Sequence, residues 1–227
     1  MSNPSLFIYW DYADNDSKKI YKFLHVKNSQ FIEELKAGRE VCLHKRHDIF
    51  DASDGLYQDI DACQVLLFFT HGENDAILKR RYGDNDAKTR FSLIDLNNVE
   101  ILSGKKVVSI CCSSAKTLGL ESIRRGCRVF VGFEKDIIYS TGKKGLNPIV
   151  YSAYNDAFEQ AIKDAVERNL TASEFVKSLR LALTKNITAK VLNAPGPAPY
   201  SLSEQIAYLD GINSIVALGE SNEPLFA

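Results

Sequence analysis

A histidine and a pair of cysteines stand at matching places in this sequence. Gln64–Thr70 is an apolar, β-prone run followed at once by His71-Gly72. Lys105–Ile110 is a second such run, followed by Cys111-Cys112-Ser113-Ser114. Unbroken runs of this kind mark strands buried on both faces of a parallel sheet. Open parallel sheets present ligands beyond the carboxyl ends of their strands. Adjacent strands lie about 4.7–4.9 Å apart, so side chains at two neighbouring tips come within reach of each other. A thiol beside an imidazole is a nucleophile beside a base. The helix expected over Ser113–Arg125 would open at the cysteine and favour its thiolate. Gly72 admits close backbone approach, and its N–H is a candidate oxyanion donor.

The rest of the chain supplies elements to position those tips. Ser5–Trp10 reads as a first strand, and Asp16 can cap a helix through Ser17–Leu24. Ser29–Lys36 reads as a helix ended by Gly38, Glu40–Leu43 as a short strand, and Asp51–Asp61 as a short helix or turn. Cys127–Phe133 is a third apolar strand; with Lys105–Ile110 and the intervening helix it makes a strand-helix-strand unit. Glu73–Arg90 is a long charged loop or hairpin, and Glu134–Gly145 is a second loop. Helices follow over Pro148–Arg168 and Ala172–Asn186, then an irregular Asn193–Pro199 and a last strand Ile215–Leu218. This pattern predicts an α/β fold with a mostly parallel sheet and helices on both faces.

Composition narrows the function. The 227 residues are 45% hydrophobic and 25% charged, values of a globular protein, and one domain over 1–227 is expected. With 28 basic and 29 acidic residues the chain has no cationic surplus for direct nucleic-acid binding. The longest apolar run, Val65–Phe69, is too short for a membrane span. Leu6–Trp10 is shorter than the apolar region of an export signal. Five cysteines, an odd number, argue for reduced thiols in the cytoplasm and against a disulfide framework. No Cys-x-x-Cys spacing occurs, so no metal site is expected. Cys42, Cys63 and Cys127 read as core packing, and His25, His44 and His47 as surface residues. Lys79-Arg80-Arg81 reads as a solvated basic patch. The opening Phe7–Asp16 is faintly like a TIR domain, but no glycine-rich phosphate loop follows it.

Asp61–Gly72 (DACQVLLFFTHG) resembles the apolar strand and His-Gly of the caspase-like cysteine peptidases, the clan of caspases, separases and gingipains. Lys106–Ala115 (KVVSICCSSA) is similar to their strand and catalytic cysteine. Within the clan the likeness is to the CHAT group. Phe91–Leu96 (FSLIDL), Gly126–Phe133 (GCRVFVGF) and Asn213–Phe226 (NSIVALGESNEPLF) resemble its flanking stretches, so the likeness spans roughly residues 60–227. The resemblance implies a caspase-like three-layer sandwich and a thiol endopeptidase working through a Cys–His dyad without metal or cofactor. Cys112 then takes the nucleophile's place, because the residue before it is small. Cys111, preceded by Ile110, is the alternative register, because Ser109-Ile110-Cys111 departs from the family's hydrophobic-polar-small order. His71 becomes the proton-transfer partner, and the N–H groups of Gly72 and Cys112 become the oxyanion donors. Ile110 stands where metacaspase-like enzymes carry Asp, which argues against Arg/Lys specificity. The resemblance also implies a specific protein substrate and a separate sensor or partner that activates the enzyme, in a role such as bacterial antiphage defence. The alternative is a catalytically silent interaction module on the same fold.

Overall fold

The apolar runs become the middle of a six-stranded sheet. The computed structural model describes residues 5–11, 19–24, 30–36, 39–46, 55–80, 91–138, 147–192 and 202–227. Its first strands are β1 (Leu6–Asp11), β2 (Val41–Arg46) and β3 (Val65–Phe69). A small antiparallel sheet follows, made of β4 (Gly72–Glu73), β5 (Ala76–Arg80) and β6 (Phe91–Asp95). The chain then returns to the main sheet as β7 (Lys106–Ile110), β8 (Val129–Phe133) and β9 (Ile215–Gly219). The lateral order is β2-β1-β3-β7-β8-β9. Every neighbouring pair is parallel except β8 and β9. Among the described residues the α-helices of five residues or more are α1 (Gln30–Lys36), α2 (Leu56–Ala62), α3 (Leu120–Arg124), α4 (Asn147–Glu167), α5 (Ala172–Asn186) and α6 (Leu202–Asn213).

Every residue of β3, β7 and β8 is buried, including Lys106 and Ser109, the two polar residues of β7. The pleat sends alternate side chains to opposite faces. Leu6, Ile8, Val65, Leu67, Val108 and Val131 pack with α1, α4 and α5 through Phe31, Phe158, Phe175 and Leu179. Phe7, Tyr9, Leu66, Phe68, Val107 and Phe130 pack on the other side with Ile60 of α2, Leu118 and Ile77 of β5. The result is three layers, a sheet between two sets of helices. The one buried hydroxyl inside β7, on Ser109, donates to Ser114 Oγ at 2.8 Å. Among the described residues no helix is long and apolar enough to cross a membrane.

Several elements differ from the sequence reading. β2 runs three residues past Leu43, because its pairing with β1 continues to Asp11 and Arg46. An edge strand tolerates the polar His44-Lys45-Arg46 that looked unlike a strand. Helix α6 was not foreseen. Its apolar residues are not confined to one face: Ile206 and Leu209 are exposed while Tyr208 and Ile212 are buried. Of the helix expected over Ser17–Leu24, the described part is helical at Lys19-Ile20 and passes into a 3-10 turn at Lys22–Leu24. The Asp16 cap, Gly38, His25, His47 and the Asn193–Pro199 connection lie outside the described residues. The charged stretch after His71 is a hairpin, and its residues 81–90 also lie outside.

Candidate active site

β3 and β7 are hydrogen-bonded neighbours in parallel register, with Phe68 opposite Ser109 and Phe69 opposite Ile110. His71 lies two residues beyond Phe69, and Cys112 two residues beyond Ile110. Both residues therefore lie just past the end of that shared register. A direct contact ties the two tips together. A Cβ on Gly72 would stand 2.5 Å from the Cys112 carbonyl oxygen and 2.7 Å from Cys111 Cβ. Only glycine lets the turn after His71 lie against the backbone of the two cysteines. The pair sits one strand over from the β1/β3 boundary, where strand order reverses and such folds most often bind ligands.

The hairpin fixes the histidine tip. Leu78 N–H donates to the His71 carbonyl at 2.9 Å, and Thr70 Oγ1 donates to the Leu78 carbonyl at 2.9 Å. Its turn reaches the segment after the cysteines: the Asn74 carbonyl accepts from the N–H groups of Thr117 and Leu118, each at 2.9 Å. Those two N–H groups are orphans of a helix start, so the hairpin acts as their cap. Beneath β7, the buried Tyr21 hydroxyl donates to the Ile110 carbonyl at 2.9 Å.

The two cysteines have opposite surroundings. Cys111 is fully buried in the core of the second face, and its thiol lies 3.7 Å from the Phe68 carbonyl. Burial pushes that thiol up to about 12, so it holds its proton at neutral pH. Cys112 is half-buried and packs against the core of the first face. The Ile137 N–H donates to its sulfur at 3.4 Å. Tyr154 of α4 interacts electrostatically with Cys112, and burial pushes its phenol up, which keeps it neutral.

The helix does not open at Cys112 as expected. Ser113 has a φ of 52°, in the left-handed region, and breaks the helical path. Helical geometry begins at Ala115 with a π-helical turn to Gly119, and α3 completes it. Gly119 N–H reaches back five residues to the Ser114 carbonyl. The cysteine is thus set apart from the helix start, and the helix dipole loses most of its claim on the thiolate.

The remaining candidates fall away from these tips. Cys63 and Cys127 are buried, as expected for core packing, and Cys42 is half-buried and packs against the same core. His44 is no surface residue: its side chain is 14% exposed, its Nε2 lies 2.7 Å from Asp59 Oδ2, and its ring packs on Phe7. The Lys79 ammonium sits 5.5 Å over the Tyr57 ring. Among the described residues no three His, Cys, Asp or Glu side chains are grouped to hold a metal ion. An open cleft of about 370 Å³, lined by Leu96, Lys116, Leu120 and Arg124, includes neither His71 nor Cys112.

Ser113, Asp136 and Ile137 were missed in the sequence. Ser113 Oγ donates to Asp136 Oδ1 at 2.6 Å, and Ser113 N–H donates to the Lys135 carbonyl at 3.1 Å. The signal was available, because Glu134-Lys135-Asp136 follows the end of β8 just as the cysteines follow β7. No model of a known protein family matches the chain, and no curated protein matches it.

Proposed function

We propose that the chain is a CHAT-type, caspase-like cysteine endopeptidase in which Cys112 is the nucleophile and His71 its proton-transfer partner. One observation carries this reading. The parallel, in-register pairing of β3 and β7 ends both strands at one level, with His-Gly on one tip and Cys-Cys-Ser on the next. The three layers and the single antiparallel edge strand agree with the sandwich that the resemblance implies. The contrast between a sealed Cys111 and a half-buried Cys112 favours Cys112.

In this mechanism the Cys112 thiolate attacks the scissile carbonyl carbon, and the carbonyl electrons move onto oxygen. The N–H groups of Gly72 and Cys112 receive that oxyanion. Collapse breaks the C–N bond as imidazolium His71 gives its proton to the leaving amine, leaving a thioester. His71 then takes a proton from water as the water attacks the thioester, releasing the acid and regenerating Cys112. A specific protein substrate, a separate activating sensor and an antiphage role extend this proposal from the resemblance.

Hydrolysis of a peptide library tests it. Wild type supplied with its activating sensor should show thiol-dependent cleavage, Cys112→Ala none, and His71→Ala a loss of about 10²–10⁴-fold. Cleavage that survives Cys112→Ala would refute the assignment.

A further inference from the structure

Residues 134–137 cross the site as a strap with fixed attachments. At its start, Glu134 N–H donates to the Ser214 carbonyl at 2.9 Å, and Lys135 Nζ pairs with Asp210 of α6 at 2.7 Å. Gly211 of α6 leaves room for the strap: a Cβ there would lie 3.3 Å from the Asp136 carbonyl oxygen. At its end, the Ile137 side chain is buried in the core. Between these anchors the strap grips Ser113 twice, through the Lys135 carbonyl and the Asp136 carboxylate. The left-handed conformation is unfavourable for serine, and these two bonds hold it there.

We propose that this strap, rather than the helix start, keeps Cys112 reactive. Ile137 N–H is the donor to the thiolate, and the Ser113–Asp136 hydrogen bond is the positioning pair that holds that donor in place. The inference rests on the reading of Cys112 as nucleophile. A hydrogen bond given to the charged form of a group favours that form. The Ile137 N–H lies 3.4 Å from Sγ, whereas the opposing Ile137 carbonyl is 4.0 Å away. The donor therefore dominates.

Charge alone does not explain the arrangement. Among the described residues, the titratable and charged groups near Cys112 include His71 at the β3 tip, Cys111 beside it, Tyr154 on α4 and Tyr208 beyond it, with Lys135 and Asp136 on the strap. Lys135 is engaged by Asp210, and Tyr154 is neutral. The Asp136 carboxylate is negative and would by charge oppose a thiolate. Its contribution is positional, which separates two effects that a variant could have.

The test is alkylation of Cys112 by iodoacetamide from pH 5 to 9, located by mass spectrometry, with buried Cys111 as the unreactive reference. Asp136→Ala and Ser113→Ala should each move the pH profile up by about one unit and slow alkylation at pH 7 about tenfold. Asp136→Asn keeps an acceptor for Ser113 and should react as fast as wild type, or faster. The proposal is overturned if both alanine variants keep the wild-type profile, or if Asp136→Ala and Asp136→Asn both react faster. Should Asp136→Ala fail to melt cooperatively, Ser113→Ala and Asp136→Asn carry the same comparison. A shifted profile without peptide hydrolysis by sensor-supplied wild type upholds the strap and overturns the peptidase reading. Hydrolysis with an unshifted profile overturns the strap alone.

Discussion

At the scale of single residues, burial decides which thiol does what. Cys63, Cys111 and Cys127 are each pushed by burial to about 12 from the ordinary 9.0. In the unfolded chain they ionise near 9, and in the folded protein they keep their protons to about 12. Between those values the unfolded state binds fewer protons. Stability from these thiols is therefore complete below pH 9 and is lost as pH rises toward 12, by about 1 kcal/mol per pH unit for each. Urea midpoints measured from pH 7 to 11 should fall above pH 9, and Cys127→Ala should flatten that fall. An unchanged slope in the variant would contradict the assignment. Sequence alone left Cys111 and Cys112 as rival registers, because both follow the same strand. What separates them is the pleat: it turns Cys111 into the packed second face and Cys112 toward the first. That difference depends on which helices cover each face, and no local pattern reveals it.

At the scale of elements, the hairpin β4–β5 seats the histidine tip against the cysteine tip, and Gly72 is its tightest point. Gly72→Ala places a Cβ against backbone atoms, which no side-chain rotation can relieve. The substitution should destabilise the protein by about 1–3 kcal/mol and depress Cys112 reactivity with it. Reactivity unchanged at full stability would show that the tips do not touch as described. Helix α5 gives a contrasting case. Thr171 and Glu174 form a reciprocal capping box, with Glu174 N–H donating to Thr171 Oγ1 at 3.3 Å and Thr171 N–H donating to Glu174 Oε2 at 2.9 Å. Thr171→Ala should cost about 1 kcal/mol of stability, read from chemical denaturation, and leave Cys112 alkylation untouched. The sequence reading and the structure agree on α5 to the residue, from Ala172 to Asn186. The π-helical turn after the cysteines was not legible. It exists because Asn74, some forty residues earlier in the chain, accepts the N–H groups of Thr117 and Leu118.

At the scale of the whole molecule, the order β2-β1-β3-β7-β8-β9 makes neighbours of two strands that the sequence separates by the small sheet. An unbroken apolar run announced β3, because only a sheet covered on both faces buries such a run, and Val107-Val108 marked β7 despite Lys106 and Ser109. Their adjacency could be expected but not read, since lateral order is set by how the crossovers pack. The same packing brings the end of β8 to the cysteine, so a position just past a core strand was the sequence signal that Asp136 and Ile137 offered. The central claim is that Cys112, served by His71, is the nucleophile. Labelling with a thiol-reactive, peptide-like electrophile at neutral pH tests it most directly, comparing wild type with Cys111→Ala, Cys112→Ala and His71→Ala and locating the adduct by mass spectrometry. The account predicts rapid labelling at Cys112, preserved in Cys111→Ala and slowed at least about 100-fold in His71→Ala. Labelling at Cys111, or labelling of Cys112 no faster than Cys42 and indifferent to His71, would contradict it.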